Sequence, residues 1–225
     1  VIALGFLISV RINYRICLTE KNETQVTNVA VKTTTRKKVA PKKKDYSKTM
    51  KQETFTAESG NEYLFTYPGT FYVQQNVKDA SNVNGYENKA LLHQALMKFI
   101  LEGDYDYSFF DKQIKDADKT SSVKAKDHDG SIVNYDFKFP GLERLENMVE
   151  DSKMYNGGIA MSEYNKQVMQ HVLISPKIKF DYWDHHDGYA TTMQEADVFL
   201  GTVSSESDFN EVMAAAEDFV KRMFR

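Results

Sequence analysis

Two stretches of the chain alternate apolar and polar residues with the period of two that is typical of a β-strand with one buried face. In the first stretch, residues 54–56 and 63–67 predict two strands joined through a Ser-Gly-Asn loop. In the second, residues 123–125 and 132–139 predict two more strands around a His-Asp-Gly turn. Each pair is expected to form a β-hairpin. The side chains expected to face inward are Tyr63, Phe65, Tyr67, Val133, Tyr135, Phe137 and Phe139.

In the sequence that follows each hairpin, apolar residues recur every three or four positions, which predicts helices. A Pro-Gly pair ends each second strand, because proline cannot donate a ladder hydrogen bond and glycine tolerates a sharp change of direction. A short helix is expected next, followed by a second helix at about residues 86–101 in one case and 162–174 in the other. An aromatic segment, residues 105–110 or 180–183, closes each set.

The two sets of elements are near copies of one another. Phe-Thr-Tyr-Pro-Gly at residues 65–69 recurs as Phe-Lys-Phe-Pro-Gly at residues 137–141, 72 residues later, and an Asn-Gly pair recurs at the same offset. An offset of 73 then fits the second helices and the aromatic segments. We therefore predict an α+β fold with two tandem copies of a unit made of a β-hairpin and two helices, and an extra C-terminal amphipathic helix.

This duplication divides the chain into five segments. They are a poorly ordered N-terminal segment with a basic arm, residues 1–51; a first ββαα repeat, 52–111; a linker, 112–120; a second ββαα repeat, 121–184; and a loop with a C-terminal helix, 185–225.

The segment after the second repeat has no counterpart in the first. Residues 185–206 predict a mixed loop, and Ser207 is expected to cap a helix that runs to the C-terminus. This helix either completes the core of the second repeat or docks into a groove of a partner, including another copy of the chain. Under the docking hypothesis the partner-binding residues are Phe209, Val212, Met213, Ala216, Phe219, Val220 and Met223.

Charge is distributed unevenly along the chain. Residues 30–51 carry nine basic residues against one aspartate, a net charge of +8, whereas residues 52–225 carry 17 basic and 29 acidic residues, a net charge of −12. A phosphate backbone requires clustered positive charge, so the acidic body argues against nucleic-acid binding outside the basic arm. The arm, with Arg36-Lys37-Lys38 and Lys42-Lys43-Lys44, either contacts nucleic acid or an acidic partner or serves as a solubilising tail.

Residues 1–17 contain an apolar run that stops at Arg11, which is too short for a membrane-spanning helix of about 20 apolar residues. We therefore expect no membrane partner. Three explanations of this segment stay open: translation from upstream of a start near Leu18, a signal or anchor, and an ordinary terminal segment. Cys17 is the only cysteine, which excludes an intramolecular disulfide and fits a reducing cytoplasm.

The densest polar cluster in the sequence is Asp184-His185-His186-Asp187, and Asp and His are suitable ligands for zinc or manganese. An Asp-His-His triplet occurs in one class of phosphoesterases, but that class also needs aspartates at the ends of parallel strands, which the pattern lacks. A solvated loop is therefore the competing hypothesis. His93 and His171 lie in the second helices without a polar constellation and are expected at the surface or at its boundary. With no phosphate loop, nucleophile elbow or zinc-protease motif, the sequence predicts no catalytic residue, no metal site and no cofactor.

Three features together resemble a known family. A strand that ends in aromatic-Pro-Gly, the segment Phe-Asp-Tyr-Trp-Asp at residues 180–184, and the ending at residues 209–216 are similar to the tail assembly chaperones of long-tailed phages of Gram-positive bacteria. The resemblance covers about residues 53–224 and is best in the second repeat. Two repeats in one chain and a long basic arm depart from the compact single unit expected of that family.

The resemblance implies a non-catalytic protein of the host cytoplasm. Such chaperones bind the tape measure protein, keep its long hydrophobic helices soluble, and help tail tube subunits to polymerise around it. The alternatives are a structural component that remains in the phage or prophage particle, such as a tail or head-completion protein, and a small metal-dependent hydrolase that uses Asp184, His185, His186 and Asp187.

Overall fold

The computed structural model describes residues 51–224. The predictions for residues 1–17, for the basic arm at residues 36–44 and for Cys17 lie outside this part of the chain. Within it, two antiparallel hairpins form where the period of two predicts them.

The first hairpin pairs β1, Lys51–Thr56, with β2, Glu62–Tyr67, and the second pairs β5, Thr120–Lys126, with β6, Ile132–Lys138. The predicted inward faces are confirmed, because all but one of their seven side chains are less than 9% exposed and Val133 is half-buried. One apolar face on each hairpin therefore has to be covered by other elements.

Each hairpin ends in a Pro-Gly junction that starts a helix. Gly69 and Gly141 have φ of 116° and 94°, a region that residues with a Cβ rarely adopt. Gly69 precedes α1, Thr70–Val73, which continues as a π-helix over Gln74–Asp79, and Gly141 precedes α4, Leu142–Asp151. A small hairpin of β3, Asn82–Val83, and β4, Tyr86–Glu87, follows the first of these helices.

The second helices are α2, Lys89–Phe99, and α5, Met161–His171. The prediction that the latter continues to residue 174 is wrong. The chain becomes extended as β7, Leu173–Ser175, and pairs with β6, which makes the second sheet three-stranded. The aromatic segments are short helices, namely α3, Tyr107–Asp111, and a 3-10 helix at Phe180–Asp184.

The predicted loop at residues 185–206 is mostly a helix. α6 spans Tyr189–Ser204 and buries Met193, Ala196, Leu200 and Val203 at spacings of three and four. The threonines, serine and glycine of α6 have low helix propensity, so a sum of residue propensities over this segment does not predict a helix. Packing against the second sheet overrides those propensities.

The last helix, α7, spans Phe209–Met223. The predicted Ser207 cap is also wrong. Asp208 occupies the N-cap position and makes no side-chain capping bond, while the Ser207 hydroxyl donates to the Ser204 carbonyl oxygen.

A single hydrophobic core joins the two halves of the described chain. It includes the inward faces of both hairpins and side chains from every α-helix longer than five residues. Among the described residues, no helix has the length and apolar character needed to cross a membrane. The largest fully buried side chains include Tyr63, Phe65, Phe110, Tyr135, Phe137, Phe209 and Phe219.

Candidate functional site

The apolar stripe of α7 packs into the core. Six of its seven predicted partner-binding side chains are at most 1% exposed, and Met223 is half-buried. The helix lies on the first hairpin and on α2, with the Phe219 ring 5.7 Å from Phe65 and 6.4 Å from Tyr67. The stripe therefore covers the first half of the described chain. The sequence left two alternatives open for this helix, namely completing the second repeat or docking on a partner. The seven residues are Phe209, Val212, Met213, Ala216, Phe219, Val220 and Met223.

Two of the four candidate metal ligands, His186 and Asp187, contact the second hairpin turn. The Asp127 carboxylate, 6% exposed, accepts hydrogen bonds from His186 Nδ1 at 2.6 Å, the Asp187 N–H at 2.9 Å and the His128 N–H at 2.7 Å. The hydrogen bond from His186, followed by that from the Asp187 backbone, holds the pKa of Asp127 well below its usual range. The His186 ring also stacks on Tyr182 at 4.0 Å.

Asp184 and His185 take no part in this arrangement and are exposed. Over residues 51–224 no three His, Cys, Asp or Glu side chains are grouped so that they could hold a metal ion. The contacts of Asp127 and His186 tie the second hairpin turn to the segment before α6.

A charged cluster that the sequence does not reveal lies where α2, α4 and α7 meet. His93 Nδ1 is 2.5 Å from Glu146 Oε1 on α4, and its Nε2 is 3.2 Å from Glu217 Oε1 on α7. The Lys89 ammonium donates to both oxygens of Glu217 at 2.9 Å, and the Tyr107 hydroxyl lies 2.5 Å from Glu146 Oε2. His93 was expected at the surface or at its boundary, and its side chain is 14% exposed. The expectation that it lies outside any polar constellation is wrong, because both ring nitrogens contact carboxylates.

The geometry of this cluster requires a protonated imidazole. Both ring nitrogens of His93 face carboxylate oxygens, so both must donate a hydrogen. Burial alone would lower the pKa of His93, but the hydrogen bonds to Glu146 and Glu217 raise it to about 9. The hydrogen bond from His93 lowers the pKa of Glu217 well below its usual range, and burial together with Glu146 raises that of Tyr107.

Further ion pairs extend the cluster, since Lys221 of α7 reaches Glu217 at 3.3 Å. Lys89 also reaches Glu87 at 3.0 Å. The arrangement is a clamp between three helices, and its chemistry is that of a stabilising ion network.

A second polar cluster joins the first hairpin turn to the start of α7. Asp208 Oδ2 accepts hydrogen bonds from the Tyr63 hydroxyl at 2.6 Å, Asn61 Nδ2 at 2.8 Å and the Ser59 hydroxyl at 3.0 Å. Burial opposes the charge of Asp208, but these hydrogen bonds lower its pKa below the usual value. Burial, followed by the bond to Asp208, raises the pKa of Tyr63 to about 12. This carboxylate also serves as a structural anchor.

An open groove of about 430 Å³ lies between α4, α5 and α6. Its walls are mainly apolar, with Leu145 and Val149 from α4, Tyr164 from α5 and Leu200 from α6. Leu145, Val149 and Tyr164 are only half-buried, so their free faces point to solvent. Apolar concave surfaces of this size are typical of ligand-binding sites in proteins. We call this surface the α4–α6 groove.

One position in the wall of the α4–α6 groove carries no side chain. A Cβ added to Gly201 of α6 would meet no heavy atom within 4 Å. The backbone of a ligand could therefore approach α6 closely at this point. Asp197, one turn earlier, is the acidic residue of the wall, and burial together with Asp197 raises the pKa of Tyr164 to about 12.

Comparison with family models, with curated proteins and with solved structures finds no match for this chain.

The sequence contained one signal of the groove. The helical pattern marks Leu142, Leu145, Met148 and Val149 of α4 as one apolar stripe, but the core buries only Leu142 and Met148 completely. The stripe is thus wider than the core requires. The clusters around His93, Asp127 and Asp208 left no such signal, because each joins residues far apart in the chain.

Proposed function

We propose that this protein is a non-catalytic tail assembly chaperone that binds apolar helices of a tape measure protein and assists polymerisation of the tail tube. The observation that carries the proposal is the α4–α6 groove, an exposed apolar surface on an acidic body. A helix with an apolar stripe can place side chains into such a groove. The resemblance to phage tail assembly chaperones supplies the identity of the partner.

The adaptability of the groove also supports a transient holder of helices. Met161 lines its edge with half of its surface exposed, and methionine adjusts to partners of different shape. The buried charged side chains of the described chain are engaged in structural contacts, as around His93 and Asp208. These properties fit binding rather than turnover.

We further propose that the two halves derive from duplication of one ββαα unit. The Thr66 N–H donates to the Ile100 carbonyl oxygen at 2.8 Å, and the Lys138 N–H donates to the Val172 carbonyl oxygen at 2.8 Å, 72 residues later. The second helices, α2 and α5, also begin and end 72 residues apart. The offset of 73 inferred for these helices from the sequence is therefore unnecessary.

A peptide-binding measurement tests the proposed function. A synthetic helix of about 20 residues, with leucine and isoleucine along one face, is titrated into the purified full-length chain by calorimetry. We expect binding with a Kd of about 1 to 100 µM, a range typical of transient contacts. Gly201→Leu is expected to weaken binding at least about ten-fold, because the new side chain fills the groove while meeting no neighbour.

Gln194→Leu is the matched control, since Gln194 is an exposed residue of α6 that does not line the groove. It is expected to bind the peptide like the wild type. A wild-type chain that fails to bind the peptide, or a Gly201→Leu chain that binds equally well, would contradict the proposal. Mass spectrometry of purified phage particles distinguishes the chaperone from the alternative of a structural component. A chaperone should be absent from the particles, whereas a structural component should be present.

A further inference from the structure

A second cleft, of about 720 Å³, lies between the exposed side of α5 and residues 177–181. Three apolar side chains form its floor. Met169 is 4% exposed and its Sδ accepts a hydrogen bond from Trp183 Nε1 at 3.2 Å, while Phe180 lies 6.2 Å from the Tyr189 ring. Ile178 completes the floor and is half-buried. These contacts hold the floor in a fixed shape.

Lysines surround this apolar floor. Lys166, Lys177 and Lys179 line the cleft together with one carboxylate, Asp181. Lys166 has an exposed partner, Glu163, at 3.4 Å, and over residues 51–224 no ion pair engages Lys177 or Lys179. The chain from residue 52 onward carries 17 basic and 29 acidic residues. The cleft is therefore positively charged, whereas residues 52–225 as a whole carry a net negative charge.

The three lysines of the cleft favour one kind of anionic ligand. A chain that carries several carboxylates suits them better than a single phosphate group. Lysine presents a point charge on a flexible stem, which suits anions at variable spacing, whereas arginine is the residue suited to planar bidentate recognition. Lys166 and Met169 lie in the second half of α5, away from the N–H groups at Met161 that would hold a phosphate. The apolar floor requires that the same ligand carry apolar side chains.

We propose that this cleft binds an acidic amphipathic segment of the partner protein, with its carboxylates on Lys177 and Lys179 and its apolar side chains on Met169, Ile178 and Phe180. This rests on the proposed function, since it names the chemistry of a partner segment. It assigns a site separate from the α4–α6 groove. Lys166 and Met169 of α5 line this cleft, whereas Met161 and Tyr164 of the same helix line that groove.

Two peptides test this inference. Both have about 20 residues and the same apolar stripe, which is flanked by glutamates in one and by glutamines in the other. We expect the glutamate peptide to bind the full-length chain about ten-fold more tightly at low salt, and the difference to shrink as salt screens the charges. The double variant Lys177→Gln/Lys179→Gln is expected to remove this difference.

Lys112→Gln/Lys115→Gln is the matched control, because it removes two charges from exposed positions outside the cleft. It should retain the preference for the glutamate peptide, and so should Gly201→Leu, in which the groove is filled. Equal affinity for the two peptides, or a preference that survives the Lys177 and Lys179 changes, overturns this inference. If the apolar helix still binds and Gly201→Leu still blocks it, the proposed function stands. If no peptide binds, both fail.

Discussion

Replacing His93 by glutamine tests the charged clamp between α2, α4 and α7. The imidazole donates to Glu146 on α4 and to Glu217 on α7, and Lys89 of its own helix shares Glu217. Tyr107 of α3 faces Glu146 from the other side. Glutamine cannot carry the positive charge, so the variant loses the interaction that depends on protonation while keeping a polar side chain.

The size of the effect follows from the shift in pKa. The ordinary pKa of histidine is 6.5, and the contacts of His93 raise it to about 9 in the folded chain. One unit corresponds to about 1.4 kcal/mol, so His93 contributes on the order of 3 kcal/mol of stability. Because the folded pKa lies above the unfolded one, this contribution is complete below about pH 6.5 and is lost as the pH rises to about 9.

Urea unfolding at about pH 6 and about pH 9.5 measures this contribution. Across that interval the free energy of unfolding of the wild type should fall by about 3 kcal/mol more than that of His93→Gln. His171→Gln is the control. Burial, followed by the charge of Arg144, lowers the pKa of His171, so this residue cannot supply a loss of stability at high pH.

A wild-type chain whose loss of stability over this interval is matched by His93→Gln would refute the clamp. NMR gives a direct check, since the His93 ring should titrate near pH 9. A value at or below the ordinary 6.5 would show that the two carboxylates do not hold the imidazolium.

Three further substitutions have defined outcomes. Gly201→Ala should raise the free energy of unfolding by up to about 1 kcal/mol, because it removes a glycine from the interior of a helix at a position with open space. The expected result is a melting temperature about 2–4 °C higher. A lower melting temperature would mean that the space is occupied. Phe219→Ala should cost about 3–5 kcal/mol in urea unfolding, since the ring is fully buried, whereas Phe71→Ala, at a side chain 80% exposed, should stay within about 0.5 kcal/mol. Asp208→Asn should cost about 1–3 kcal/mol and lower the pKa of Tyr63 from about 12, as followed by ultraviolet titration; an unchanged titration would argue against the short Tyr63–Asp208 bond.

The local elements could be predicted from the sequence because their signals lie within a few residues. The strands of both hairpins follow the period of two, and the Pro-Gly pairs end them at Tyr67 and near Phe139, as expected. Leu91 belongs to the apolar pattern of α2 but is 38% exposed, because the pattern does not say how much of an apolar face a neighbour covers. Whether a helix forms can be predicted from neighbouring residues in the sequence, whereas the width of its buried face depends on tertiary packing.

The polar clusters could not be predicted for the same reason. His93 meets Glu146 and Glu217 across 53 and 124 residues of chain, and each of the three alone is an ordinary polar residue on a helix. The Asp184–Asp187 run attracted a metal hypothesis because its residues are adjacent in sequence. Adjacent side chains diverge, and only His186 of the four turns its side chain toward Asp127.

The two helices without a counterpart in the first half explain how the hairpins are buried. α7 covers the first hairpin through Phe219, and α6 covers the second, where the Phe199 ring lies 6.1 Å from Phe137. Each hairpin turn is also tied to the start of its covering helix. Asn61 of the first turn bonds to Asp208 at the start of α7, and Asp127 of the second turn accepts from Asp187 before α6. Each hairpin is therefore held to its covering helix at both the face and the turn.

The way in which α6 and α7 cover the two hairpins determines which apolar surfaces stay exposed to a partner. A two-stranded hairpin is marginal in water, so the face of the first hairpin must be covered for the chain to fold. The apolar stripe of α7 covers that face, with Phe209, Val212, Met213, Ala216, Phe219 and Val220 each at most 1% exposed. On α4 the core uses Leu142 and Met148, and Leu145 and Val149 remain half-exposed at the edge of the same stripe. A partner that contacts those residues requires no rearrangement of the core, and for this reason we propose the α4–α6 groove as the surface that binds and releases a partner helix.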